Sequence, residues 1–506
     1  MPTITHKDFQ GRIQAGQALI LFEQKVYRLD SFMKHHPGGP LIIWHMIGRD
    51  ATVEIRALHP AWVLTKKLPF FCVGDYVGPT PDEGVAGLEL PEKAAVGGGV
   101  RARVAVLPNH QLPSHDSLPE FRDETTQTVN RQIAARDQVD PETIPVDYDA
   151  VTRDFYALEQ QLRTLGLNET PFYRYGQEAV RYALFAAGMF GLVFWGPEHW
   201  LTYTLSALCT AMLWQQLALF AHDLGHNEFT QDMWWDGLFG VLLGDFCGGL
   251  SIGWWKRSHY VHHVVTNDPE HDPDIQHLPF FAVTTKLFRS LRSSYYGRHL
   301  HFDALAGLLI PLQHLLYIPV LCFGRFNLYF LSLDHLLNDS FSPWRSLELV
   351  GMVGFWAWYG CFLTCFPHWQ YGLLYMLLSH MFSFILHLQI TLSHFGMSTT
   401  CPDLDNECFA ARQLRTTMDI DCPEWLDWFH GGLQFQVEHH LFPRIPRHNL
   451  RQVQPLVRAI VDKHPGLQLY SFGFGEAIRL MLISMRSVGQ QVAGWQRLQA
   501  KTKESN

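Results

Sequence analysis

This chain has little charge: 17% of its 506 residues are Asp, Glu, Lys or Arg, against 47% hydrophobic, with 35 Phe and 16 Trp. It has no basic block long enough to track phosphates, and its formal net charge is −9, which excludes nucleic acid as the main partner. The nine cysteines include no CxxC pair, and five lie in apolar stretches, where a thiol is a small hydrophobe. A reduced, cytosol-facing environment is expected. The opening "MPTITHKDFQGRIQAG" has no apolar core of a signal peptide, so none is expected to be cleaved and membrane insertion must use internal segments. The mean hydropathy of −0.04 is ordinary only because a polar front end dilutes an apolar back end.

Three regions follow from composition. Residues 1–78 mix short β-like runs ("ALILFEQKVYRL") with polar helical pieces and read as a small α+β domain. Residues 79–147 carry recurrent Pro and Gly without hydrophobic periodicity, the composition of a flexible linker. From 148 to 506 the chain reads as an all-α integral membrane domain. It opens with an amphipathic helix whose Val151, Phe155, Leu158, Leu162 and Leu165 share one face, expected to lie on the bilayer or on the enzyme body. Apolar runs near 178–196, 200–221, 347–366 and 370–393 each approach the ~20 residues that cross a bilayer, which predicts about four transmembrane helices. The runs 238–255, with Asp245 and several glycines, and 304–324, with Pro311, His314 and Pro319, read as interfacial or re-entrant. The turns at 196–199 and 367–370 lack Lys and Arg, whereas 254–300 holds six, which places that loop and both termini in the cytosol.

The segment "FMKHHPGGPLIIWHMIGRDATVEIRALHP" sets His36 before Pro-Gly-Gly and a second histidine, His59, 23 residues later. Proline fixes φ and glycine permits a sharp reversal, so the backbone can pass close to a flat cofactor. Together with "GRDAT" the segment resembles cytochrome b5 over about 75 residues. That resemblance implies haem b with His36 and His59 as axial ligands, a closed site that shuttles electrons. His35 and His45 have no such match and read as solvated or structural.

Further histidines recur at membrane-segment ends. "HDLGH" gives His222 and His226 one helical turn apart; "HYVHH" gives His259, His262 and His263; "QVEHH" gives Gln436, His439 and His440. Seven imidazoles exceed the four protein ligands of a closed zinc site, and two metal ions are the economical solution. An attached one-electron carrier selects iron, since zinc has no redox chemistry. A pair of irons can activate dioxygen to attack an unactivated C–H bond. Asp223, Glu438, Asp268, Glu270, Asp272 and Asp274 are candidates to fix the imidazole tautomers, with turn formation the competing role. Lys256 and Arg257 stand where they could meet a lipid headgroup.

The three boxes behind a b5 domain resemble the front-end membrane desaturases over essentially the whole chain. By that resemblance Gln436 replaces the first histidine of the third box, either in the outer shell or as a weak ligand. A further ligand comes from the end of the last span, His394 ahead of His387. Within the family, "WWKRSHYVHHVVTNDPEHDPDIQHLPF", "FGRFNLY" and "QFQVEHHLFPRIPRHNL" resemble fungal Δ8 sphingolipid desaturases. This implies a double bond, expected trans, at C8 of the long-chain base of ceramide, with dioxygen as acceptor, NADH-cytochrome b5 reductase as donor and the endoplasmic reticulum membrane as location. The alternatives are a Δ5/Δ6-type fatty acyl desaturase, a b5-fused lipid hydroxylase, and a membrane haem carrier without catalysis.

Overall fold

The computed structural model describes residues 1–78, 146–288, 291–338, 342–399 and 407–504; the expected linker falls almost wholly outside them. Four short strands, β1 (Thr3–Thr5), β2 (Leu19–Phe22), β3 (Lys25–Arg28) and β4 (Cys72–Val77), form one sheet in the order β1-β4-β3-β2, with β1 parallel to β4. Helix α1 (His6–Gln14) starts where Thr5 and Asp8 satisfy each other's backbone N–H groups in a capping box. Its Phe9 and Ile13 pack under the sheet with Ile4, Leu19, Leu21 and Val26. Helices α2 (Pro40–Met46) and α3 (Thr52–Leu58) follow. The corner before α2 needs its glycines: Gly39 has φ 85°, and a Cβ on Gly38 would come within 2.7 Å of Ile42 and 3.2 Å of His36.

Helix α4 (Tyr148–Thr164) buries Val151, Phe155, Leu158 and Leu162 against Leu450, Val453 and Val457. It therefore lies on the enzyme body. Leu165 caps the helix and is exposed, off the stripe the spacing predicted.

Among the described residues, five helices are long and apolar enough to cross a membrane: α5 (Phe172–Trp195), α6 (Trp200–His226), α9 (Ala304–Leu321), α11 (Arg345–Leu363) and α12 (Trp369–Phe395). Between α6 and α9 lie α7 (Met233–Gly240) and α8 (Ile252–Val264); α10 (Gly324–Asn338) follows α9. Four of these coincide with the expected spans; α9 is the fifth by length, with Pro311 and Pro319 absorbed into it. Both α6 and α12 end at one histidine cluster.

The 238–255 run bends back on itself. α7 continues as a widened turn, Val241–Cys247, and meets α8 at 112°. Backbone groups freed at such a break have no water to bond at membrane depth and must be satisfied by protein. On the donor side, Ser332 Oγ accepts from Ser251 N at 3.0 Å, Asp245 from Ile252 N at 3.3 Å and Glu348 from Gly253 N at 3.0 Å. On the acceptor side, Trp358 Nε1 donates to Phe246 O, Trp214 Nε1 to Cys247 O, and the Arg325 guanidinium to Gly248 O. Glu348 also accepts from Ser251 Oγ at 2.5 Å and from Ser342. Gly249, at φ 69°, lies where a Cβ would strike Phe355 at 2.4 Å.

Glu348→Leu removes the acceptor for three of these groups, which should cost at least about 2 kcal/mol. The expected result is a lower thermal midpoint in detergent, with Glu348→Gln, which keeps an acceptor oxygen, falling between it and the unaltered protein.

Candidate metal and haem sites

Each cluster histidine is placed by a local feature of its helix. His222 and His226 occupy the last turn of α6, which Asn227 closes in the left-handed region at φ 57°. The glycine within "HDLGH" is required by packing: a Cβ on Gly225 would fall 2.0 Å from the ring of Trp255, which stacks on His259 at 4.3 Å. α8 contributes His259, His262 and His263, and α12 ends on His394. The short α14 (Gln436–Leu441) contributes His439 and His440.

These side chains form two groups. Ring nitrogens of His222, His226, His259 and His439 lie within 4.8 Å of one another, and so do those of His262, His394 and His440. His263 stands between them, its Nε2 3.0 Å from His259 Nε2 and 3.1 Å from His439 Nε2, and its ring stacked on His440 at 4.2 Å. Two nitrogens bound at about 2.1 Å to one ion, roughly at right angles, are about 3 Å apart, so these spacings fit a shared metal. Both ring nitrogens of His226, and one each of His222, His263 and His440, are buried without a hydrogen-bond partner. Leaving such atoms unmet is costly, and a cation takes up the lone pairs.

The outer ring nitrogens are held. His262 Nδ1 donates to Asp272 at 2.8 Å, His440 Nδ1 to Gln413 Oε1 at 3.0 Å, and His394 Nδ1 to Thr416 O at 3.3 Å. Each leaves Nε2 facing its neighbours, the orientation that metal-binding imidazoles need. Gln413, on α13 (Phe409–Thr416), also donates to His263 O. Asn267, in the left-handed region at φ 59°, sends its amide to His394 O and Thr416 O. Asp223 accepts from Tyr175 at 2.7 Å and pairs with Arg447, which also meets Glu178.

Of the acids singled out in the sequence, Asp272 bonds a cluster imidazole, and Asp223 and Asp274 stand 3.8 Å from His222 Nδ1 and 3.9 Å from His262 Nδ1. Asp268 instead caps the turn at Glu270 and His271, and Glu438 is buried beside Asp419. Gln413, Thr416, Asn267 and Arg447 carry no spacing that marks them in sequence. His387 is a correction. It lies two turns before His394, against Gly324 of α10, and joins neither histidine group. Seven residues advance a helix by about 10 Å, too far to share a metal. Gln436 is buried one turn before His439 and makes no hydrogen bond to a cluster imidazole.

In the small domain, the rings of His36 and His59 lie 5.8 Å apart between centroids, at 62° to one another. Imidazoles bound on opposite sides of one iron by bonds of about 2 Å have centres roughly 6 Å apart, so the pair fits a haem between them. His59 Nδ1 donates to Ile55 O at 3.0 Å, and Phe32 meets His36 edge-on at 5.8 Å. Burial pushes His36 down to about 3 and lowers His59, so both are neutral at pH 7, the iron-binding form. His35 is exposed; His45 is buried, its ring 4.8 Å from that of His271.

A haem-binding domain fused to a membrane helix bundle with an imidazole cluster at its helix ends defines a membrane-bound redox metalloenzyme. Residues 198–471 match the fatty acid desaturase family and residues 5–77 the cytochrome b5-like heme/steroid binding domain. The chain is 38% identical, over 97% of its length and 95% of the relative's, to the Delta 8-(E)-sphingolipid desaturase of Emericella nidulans. It is 37% identical to that of Kluyveromyces lactis, over 96% of this chain and 93% of the other. Against the Delta(8)-fatty-acid desaturase of Helianthus annuus the identity is 35%, over 96% and 92%. The chain belongs to the fatty acid desaturase family and carries an N-terminal cytochrome b5 domain. It is a multi-pass membrane oxidoreductase that uses dioxygen on a lipid and binds haem and iron.

Gln413→Leu removes the 3.0 Å acceptor of His440 Nδ1, leaving Thr266 Oγ1 at 3.4 Å, and should weaken iron retention about ten- to a hundred-fold. Iron per haem after dialysis against a chelator measures this; Gln413→Glu, which keeps an acceptor, should retain most of the iron.

Proposed function

We propose that this chain inserts a trans double bond at C8 of the long-chain base of a sphingolipid, within ceramide. The observation that carries this reading is the match to fungal Delta 8-(E)-sphingolipid desaturases at 37–38% identity over nearly the whole chain, haem domain included. Residues 1–78 are the haem module, 79–147 the linker and 148–506 the desaturase. Electrons come from NADH-cytochrome b5 reductase, and the enzyme lies in the endoplasmic reticulum membrane with both termini cytosolic.

His36 and His59 hold the haem. His222, His226, His259 and His439 hold one iron ion, His262, His394 and His440 a second, and His263 stands between them. Iron bound there supplies the activation of dioxygen and the removal of hydrogen from an unactivated C–H bond. The protein's part is placement. Asp272, Gln413 and the Thr416 carbonyl keep three Nε2 atoms inward, and Trp255 covers His259 on the first group's side. Arg447 ties the first histidine box to the third through Asp223. Cluster and helix ends coincide, so an alkyl chain from the bilayer and electrons from the cytosolic side reach the same point.

The name of the sunflower relative supports a second reading, a fatty-acyl substrate. Expression in a yeast that makes neither product, followed by mass spectrometry of long-chain bases and fatty acids, separates them. The expected result is a long-chain base lighter by two hydrogens and unsaturated at C8. Unsaturated acyl chains with unchanged bases would establish the acyl reading, and a base heavier by one oxygen a hydroxylase.

His36→Ala should abolish the haem spectrum and product while iron stays; His440→Ala should lose iron and product while the haem spectrum stays. Product formation by His36→Ala at the unaltered rate would refute electron supply through the fused domain.

A further inference from the structure

The haem domain rests directly on the helix that carries three of the cluster histidines. Leu41, Ile42 and Met46 of α2 share one buried core with Val261, Val264 and Val265, the last a residue past the end of α8. Val261 and Val264 are fully buried, and His262 and His263, the residues between them, belong to the metal cluster. One side of α8 is thus a wall of the haem domain's core and the other a wall of the metal site. Around this contact, a Cβ on Gly39 would lie 3.6 Å from Arg257, next to the corner that aims His36. The rings of Trp44 and His45 lie 6.2 and 4.8 Å from that of His271, the neighbour of Asp272 that orients His262. A second contact stands on α3, where the Arg56 guanidinium covers the ring of Tyr156 on α4 at 5.5 Å. Packed helices lie about 8–10 Å apart axis to axis, so only the thickness of α8 separates the haem domain from the imidazole cluster.

We infer that the face of the haem domain built from Gly39, Leu41, Trp44 and His45 is the electron-delivery interface, and that electrons cross α8 with the domain seated as it is here. The inference rests on the proposed electron supply through the fused domain. Each crossing takes one electron from ferrous haem, leaving it ferric, and reduces one ferric ion of the cluster to ferrous. Reduced pyridine nucleotide, acting through a flavin reductase, restores the haem. That reductase must reach a surface that the seated domain leaves open.

The test locks the domain in place. In the full-length holoenzyme, Arg56→Cys and Tyr156→Cys are joined by a short bismaleimide, with the single variants as controls for the native thiols. The protein is reduced chemically and mixed with oxygenated buffer and ceramide vesicles, and haem reoxidation is followed by absorbance, above the background of His440→Ala. We expect the link to form and reoxidation to stay within about two-fold of the unlinked enzyme. Trp44→Ala with His45→Ala should slow it at least ten-fold with haem and iron contents unchanged. The inference is overturned if the link does not form, if the linked enzyme is reduced but reoxidises ten-fold more slowly, or if the Trp44/His45 variant reoxidises at the normal rate. If instead the unaltered enzyme makes no unsaturated lipid while its haem reoxidises normally, the proposed function fails and the interface stands.

Discussion

A neutral imidazole with an unmet nitrogen is expensive to bury, and this protein gathers eight imidazoles into one largely buried site. The arrangement is stable only if a cation takes the lone pairs and something outside holds each ring in its tautomer. Asp272, Gln413 and the Thr416 carbonyl do the second task for the three-histidine group. Their own positions depend on further bonds: Asn267 N donates to Asp272 at 2.7 Å, and Gln413 is tied to His263 O. The cluster is therefore as well defined as the shell around it, and that shell comes from loops and short helices beyond the ends of the membrane helices.

The break before α8 follows the same logic. A straight helix would satisfy its own backbone but would carry His259, His262 and His263 away from the cluster. Bending the chain by 112° returns α8 towards the ends of α6 and α12. The cost is a set of freed N–H and C=O groups, met by Asp245, Ser332 and Glu348 on one side and by Trp214, Arg325 and Trp358 on the other. Polar residues deep in the bundle thus support the geometry of a site that none of them touches.

α8 joins the two halves of the chemistry. Its valines complete the haem domain's core and its histidines enter the imidazole cluster, which gives the haem domain a defined seat.

Much of this was legible in the chain. HPGG with a second histidine, three histidine boxes at the ends of apolar runs, and the glycine-rich run before "HYVHH" are local patterns, and local patterns follow from backbone freedom, helical period and solvent. The sequence by itself determined the haem-domain motif, the three histidine boxes and the membrane character, because each is set by residues a few positions apart. The tertiary structure alone decided that His263 lies between two groups, that His387 packs against α10, and that Gln413 and Arg447 belong to the site. Those facts depend on which separate segments touch, and contacts between segments far apart along the chain leave no spacing in a single chain to be read.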